Sequence, residues 1–364
     1  MNFYGNRLKG ARELLSRWSL EAFLFNSYPN VFYLTGLKAS LAFLIITEQE
    51  AYLLTDARYI ERARKLAQAE LKVELIEGDT LRFLKKFLKD LRVRRIGFES
   101  DRVSCDFRRA LRSREYSLFG ITHPLKEQRL KKDIEEQKAM KGAIEITDKI
   151  YFELLNYITS ELTELELRGR IVELAFKFLA EGEAFPSIVA VGEHSAIPHW
   201  ESSRAPLRAN KPLLLDFGVI FNGYCSDFTR TIYWGNPDEE FKRYYEMVKS
   251  AWFKAFERVK VGVPVFEVDK VVRSYFQEKG VISHFTHSTG HGIGIEVHEY
   301  PRIFWRREAS YLKKQPLIEE GMVFTIEPGL YFEGKYGIRL ENVVFVEGGE
   351  GKIHSQVPLE LISL

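Results

Sequence analysis

The sequence predicts an α/β (α+β) protein of two domains, and three observations carry that reading. A chain of 364 residues with 45% hydrophobic content can bury more apolar surface than one core usually organises. Helical and strand periodicities alternate through a first unit of about 120 residues. From residue 185 onward strand-like runs dominate, interrupted by turn residues and by two further helical stretches.

Taken in order, residues 6–18 have the spacing of an amphipathic helix, and EAFLFN reads as a strand. NVFYLTG and AFLIITEQEAYLLTD are expected to be strands and RYIERARKLAQ a helix. LRFLKKFLKDL repeats apolar residues at helical spacing; RRIGFE is a strand candidate and SCDFRRALRS a helix candidate. At His123-Pro124 a turn coincides with a strongly charged stretch, which places the boundary near residue 125 and gives domains 1–125 and 126–364. Helices are then expected at 133–158, 163–181, 238–260 and 265–279. No tandem repeat or low-complexity segment is visible.

Charge is nearly balanced, 53 Lys+Arg against 51 Asp+Glu, which offers nothing to recruit nucleic acid or an anionic membrane. Segments such as KKFLKDLRVRR read as solvated helix faces. Cys105 and Cys225 are expected to be reduced thiols, the first eighteen residues lack the apolar core of a signal peptide, and no apolar run reaches membrane-spanning length. The expected location is cytoplasmic.

The informative segment is LLLDFGVIFNGYCSDFTRT, residues 213–231. An isolated carboxylate after three leucines in a strand costs several kcal/mol or loses its charge. Asn222-Gly223 signals a two-residue hairpin turn. That register sets Phe221 opposite Tyr224 and Asp227 opposite Gly218, so Asp216 and Asp227 become diagonal neighbours on one face. Gly218 is expected to leave open space between them. Two such carboxylates repel, and divalent cations resolve the conflict; Arg230 is a candidate to neutralise one of them.

HSTGHGIGIEVHEYP, residues 287–301, concentrates His287, His291 and His298 beside Glu299. It is not a helical HExxH motif, and its glycines oppose a helix while allowing close backbone approach. In FTIEPGLYFEGKYGIRLENV, residues 324–343, a loop at 333–335 sets Glu327 opposite Glu341, with Tyr336-Gly337 as a competing turn. Arg339 shares a face with Glu341, where it can pair with an acid or with a substrate carboxylate. Four carboxylates plus imidazole, without a thiolate set, suit Mn²⁺, Co²⁺ or Fe²⁺ better than structural zinc. Four acids carry about −4, which favours a two-metal centre.

With these residues laid out, the sequence resembles the aminopeptidase P/prolidase group of metallopeptidase family M24. Its catalytic, pita-bread fold is shared with methionine aminopeptidases. The matching pieces are DFGVIFNGYCSDFTRT, HSTGHGIGIEVHEYP, IEPGLY, IRLEN and FPSIVAVGEHSAIPHW. NVFYLTGL and LLTDARYIERA match a creatinase-like N-terminal domain. The resemblance implies that Asp216, Asp227, His291, Glu327 and Glu341 hold two divalent ions, Mn²⁺ or Co²⁺ ahead of Zn²⁺ or Fe²⁺, with Asp227 and Glu341 bridging. It implies a bridging hydroxide as nucleophile, Glu327 as proton shuttle, and His199, His287 and His298 on the substrate side. Arg339 would lie near the substrate, with His199 and His298 close to the proline ring. The substrates implied are peptides with proline second, and the assembly implied is a homodimer.

This chain departs from relatives at GLKASLAF, where a glycine- and serine-rich segment is usual, and at Trp200, whose bulk narrows the pocket. Alternatives within the family are a dipeptidase, favoured by chain length and the compact IEVHEYPRI–IEPGLY region, and an aminopeptidase for longer peptides. A catalytically inactive peptide-binding protein on the same fold is the alternative from another class. Creatinase-type hydrolysis without metal is disfavoured by the intact acidic set. A dinuclear phosphoesterase is disfavoured by the scarcity of local Lys and Arg.

Overall fold

A computed structural model describes residues 3–67 and 71–364. The chain forms two compact units, Met1–Arg129 and Leu130–Leu364. No described helix is long and apolar enough to cross a membrane.

The first unit is a six-stranded mixed sheet with helices. In spatial order its strands are Leu71–Leu75, Ala51–Thr55, Ala42–Thr47, Ala22–Phe25, Arg95–Glu99 and Ser117–Ile121. One expectation fails here: NVFYLTG is not a strand. It belongs to the helix Tyr28–Thr35, which has Pro29 in its first turn and Gly36 in the left-handed conformation at its C-cap. The buried Glu99 carboxylate accepts from the backbone N–H groups of Asn26 and Ser27 at the start of this helix, where the helix dipole favours an anion. The helix Ile60–Leu66 forms as expected within RYIERARKLAQ, whose last residue, Gln68, lies outside the described residues. Cys105 and Cys225 are both free, the first exposed and the second buried.

The second unit repeats one plan twice. Helices Ile134–Leu155 and Glu164–Lys177 precede a three-stranded sheet of Ile188–Val191, Lys211–Asp216 and Thr229–Trp234. Helices Glu239–Phe256 and Phe266–Glu278 then precede a five-stranded sheet centred on Val323–Ile326 and Asn342–Glu347. The helix starts are locally encoded. Asp133 with Glu136, and Thr163 with Glu166, form capping boxes, and the Asp238 side chain accepts from the Phe241 N–H.

Each half buries its own core. In the first, Leu167, Ile171 and Leu174 pack with Leu213, Leu215 and Phe217; in the second, Trp252, Val272 and Phe276 pack with Phe324, Ile326 and Val344. Strand alternation therefore leaves the opposite face of each central strand for other chemistry. On that face lie Asp216 in the first half and Glu327, just past the strand end, in the second.

Candidate active site

The first hairpin has the expected register: Phe221 pairs with Tyr224, and Asp216 with Thr229. Asp227, two residues before Thr229, is therefore the diagonal neighbour of Asp216 on the face away from Leu213 and Leu215. Gly218 does not leave open space, contrary to expectation. A Cβ there would overlap the Ser226 carbonyl oxygen, so glycine is required because the partner backbone comes too close for a side chain. Arg230 neutralises neither aspartate. It pairs with Leu215 across the ladder, which turns its side chain to the core face. There it donates to the carbonyl oxygens of Thr229, Glu341, Val357 and Pro358 and to Asn342 Oδ1.

The second hairpin is also in the expected register, with Gly329 opposite Arg339 and Phe332 opposite Tyr336. The loop is 333–335, and Tyr336-Gly337 lies within a strand. The pairing of Ile326 with Asn342 carries this register through, so Glu327 faces Glu341. His291 comes from the short strand Gly290–Gly292, not from a helix. A Cβ on Gly290 would overlap the Thr325 carbonyl oxygen, so this strand too sits as close as glycine permits.

These elements bring the five residues together. His291 Nε2 lies 3.6 Å from both Asp227 Oδ2 and Glu327 Oε1. Asp227, His291 and Glu341 each offer a ligand atom within 4.8 Å of the others. His291 Nδ1 donates to the Gly292 carbonyl oxygen at 3.1 Å, which leaves Nε2 with a lone pair aimed at the acids. Burial pushes the His291 pKa down to about 4, so the ring is neutral.

Burial also pushes Asp227 and Glu341 well above the carboxylate range, reinforced by the acids facing each of them. For Glu327 burial is again the largest cause, opposed by Arg339 and reinforced by Asp227 and Asp216, and the pKa reaches about 8. A set of acids so placed retains its full charge only beside cations. Two of their oxygens, Asp216 Oδ1 and Glu341 Oε1, are buried without a hydrogen-bond partner among the described residues. Oxygen-rich donors, one correctly tautomerised imidazole and two orphaned carboxylate oxygens fit divalent cations.

Arg339 is buried at this site. It is paired with Asp216, and donates to the Tyr331 hydroxyl at 2.7 Å and the Thr229 hydroxyl at 3.2 Å. Tyr331 in turn donates to His287 Nε2 at 2.8 Å, while His287 Nδ1 donates to the Ser288 carbonyl oxygen. Burial, with Arg339 nearby, lowers the His287 pKa to about 3. His298 lies against His291, ring centroids 4.3 Å apart and planes tilted by 60°, and its pKa is lowered by burial and by His199. His199, His287, His298 and Arg339 line one cavity of about 820 Å³ together with the four acids and the His291 imidazole. Phe185, Ile188 and Trp200 supply apolar wall, and Arg302 adds a guanidinium without a carboxylate partner among the described residues.

Sequence reasoning missed Tyr331, although it lies in IEPGLY, and Thr229, whose hydroxyl donates to Glu341 Oε2 at 2.6 Å. Their partners are eight and more than a hundred residues distant, and neither has a charge to draw attention. Cys225 takes no part: its thiol meets the Ile295 carbonyl oxygen at 3.5 Å, and burial raises its pKa to about 12.

A buried, solvent-connected cluster of four acids and one neutral histidine on a duplicated helix–sheet plan defines a metal-dependent hydrolase class. Comparison with known proteins makes this specific. Residues 138–348 match metallopeptidase family M24, and residues 7–131 match the creatinase/prolidase N-terminal domain. The chain belongs to metallopeptidase family M24, with a creatinase-like N-terminal domain followed by a pita-bread unit. It is 30% identical to a Xaa-Pro dipeptidase of Pyrococcus horikoshii, over the whole of both chains. A solved Xaa-Pro dipeptidase from Bacillus anthracis superposes with a TM-score of 0.94 at 29% identity, covering 99% of this chain and 100% of that one. An X-Pro aminopeptidase from Thermotoga maritima gives 0.86 at 33% identity, covering 96% and 99%.

Proposed function

We propose that this protein hydrolyses the bond between an N-terminal residue and a following proline, with dipeptides as its first substrates. The observation that carries the reading is the convergence of Asp216, Asp227, His291, Glu327 and Glu341 in one cavity. Two ions would be held there, with Asp227 and Glu341 shared, Asp216 completing one set, and His291 with Glu327 completing the other. When bound, Mn²⁺ or Co²⁺ would restore the charge of the carboxylates, lower the pKa of a water nucleophile and polarise the scissile carbonyl.

The remaining work falls to side chains. Glu327, which faces the cavity 3.6 Å from His291, accepts a proton from the attacking water and passes it to the leaving nitrogen. That delivery matters because the proline nitrogen is a tertiary amide with no hydrogen of its own. His199 and His298 reach into the cavity where the substrate backbone lies, and neutral His287, its ring held by Tyr331 and the Ser288 carbonyl oxygen, shapes the cavity wall. Arg339 holds Asp216 in place and extends its guanidinium along the substrate wall. Arg302, which lies over the Phe304 ring and has no carboxylate partner among the described residues, suits the free carboxylate of a dipeptide.

The test compares Leu-Pro with Leu-Pro-Gly on enzyme preloaded with Mn²⁺ or Co²⁺. Cleavage of the dipeptide alone supports the dipeptidase. Efficient cleavage of the tripeptide makes it an aminopeptidase, and cleavage of neither overturns the reading in favour of a non-catalytic peptide-binding protein.

A further inference from the structure

Each half of the second unit buries a carboxylate at the start of its second helix, outside the five-residue cluster, and the two occupy parallel places; Glu136 and Asp148, also buried, lie on the first helix of the first half. Glu164 opens the helix Glu164–Lys177, and Asp269 lies in the first turn of Phe266–Glu278; each helix is the second of its half, and both side chains are fully buried. Glu164 Oε1 accepts from the Val191 N–H at 2.9 Å and meets His194 Nδ1 at 2.7 Å, while Oε2 accepts from the Trp200 indole N–H at 2.9 Å and the Ser203 hydroxyl at 2.7 Å. Asp269 accepts from the Thr289 N–H at 3.0 Å and hydroxyl at 2.7 Å, and from the Trp305 N–H at 2.8 Å. Its remaining partner, Arg273 Nε at 2.7 Å, also donates through Nη2 to the His287 carbonyl oxygen at 2.6 Å.

The two networks end in different places. The Thr289 carbonyl oxygen accepts the backbone N–H of Glu327 at 2.8 Å, and His291 is two residues on. Asp269 thus reaches Glu327 through one intervening residue, Thr289, and His291 along two peptide units of the same segment. Glu164 instead fixes the loop 191–203, which carries His199 and Trp200 into the cavity and contributes none of the five. Trp200 is held on its far side as well, stacked on His194 with centroids 4.0 Å apart.

We propose that Glu164 and Asp269 are a matched pair of positioning residues, Asp269 setting the metal-holding wall and Glu164 the substrate wall. This rests on the proposed peptidase reading for its substrate arm only. A carboxylate serves both places because each must satisfy several buried donors converging on one point, which an amide cannot do.

The experiment compares Glu164→Gln and Asp269→Asn in the full chain, after metal stripping, by calorimetric titration with Mn²⁺ and by steady-state hydrolysis of Leu-Pro at saturating Mn²⁺. Asp269→Asn is expected to weaken Mn²⁺ binding by about 10- to 100-fold. Glu164→Gln is expected to leave Mn²⁺ binding within about twofold and to raise KM by roughly tenfold, the scale on which loss of an outer supporting contact is felt. Equal effects on both readouts in both variants, the reverse assignment, or no effect in either would overturn the pairing. If Asp269→Asn does not fold, Thr289→Val removes one of its donors, and unchanged Mn²⁺ affinity there counts against the proposal. A wild type that binds Mn²⁺ yet leaves Leu-Pro intact would overturn the proposed function instead, and the pairing is then judged on Mn²⁺ affinity alone.

Discussion

The aspartate hairpin closes through a two-residue turn and sets its acids diagonally, whereas the glutamate hairpin closes through residues 333–335 and sets its acids face to face. Both expose a core face of large apolar side chains and a site face of acids and threonines. The halves differ in what they add. The first contributes two short acids and no cation, since Arg230 turns into its core. The second contributes two longer acids, the imidazole and Arg339, which crosses to pair with Asp216. Charge compensation therefore runs across the seam between halves, and neither hairpin makes a stable acidic pair by itself.

The largest expected effect strikes both halves alike. Asp227→Asn or Glu341→Gln should lower kcat/KM for Leu-Pro by on the order of 10³ or more, with reduced bound Mn²⁺ measured by elemental analysis. Wild-type turnover in either variant would break the assignment.

Gly218→Ala and Gly290→Ala should each destabilise by about 3 kcal/mol, because the obstruction is a backbone oxygen that no rotamer change moves. Urea denaturation midpoints check this, and a tolerated substitution in one half would show that its strands can part.

Arg230→Met should cost about 2–3 kcal/mol by the same assay, since it strips donors from several buried carbonyl oxygens. Catalysis per folded molecule should change far less than in Asp227→Asn, which separates the core-facing arginine from the site-facing acids.

A smaller effect follows from the raised pKa of Glu327. Its folded value, about 8, lies above its ordinary 4.5, so in metal-stripped protein it binds a proton more tightly when folded. The stability it contributes is complete below about 4.5 and is lost as pH rises through about 8. Thermal midpoints of stripped protein should fall across that window, and loading with Mn²⁺ should flatten the trend; a stripped protein that gains stability with rising pH would contradict it.

The smallest change belongs at a hairpin tip. Asn222 holds a φ of 50°, so Asn222→Ala should cost about 1 kcal/mol in denaturant with little loss of activity.

Much of this was legible in the residues. Asn222-Gly223 and the alternation LLLD determine both register and face, because a two-residue turn and a period of two leave no freedom once one pair is set. Helices Ile134–Leu155, Glu164–Lys177 and Glu239–Phe256 announce themselves by capping residues and periodicity, and Phe266–Glu278, which has no capping side chain, by periodicity alone. NVFYLTG misleads because its run of β-formers and aromatics carries strand propensity, while Pro29, the Gly36 cap and the anion of Glu99 hold it helical. The strands Leu71–Leu75 and Ser117–Ile121 escape notice as short edge strands, one of them alternating with charges.

The sequence by itself determined which acids and histidines are available and which face of each strand they occupy, since those follow from local periodicity. Only the tertiary structure decided that Arg230 serves the core and Arg339 the site, that Tyr331 links Arg339 to His287, and that Glu164 and Asp269 hold the two walls. Those partnerships join residues as far as 128 positions apart, and hydrogen-bond partners across a fold leave no periodic trace in the chain.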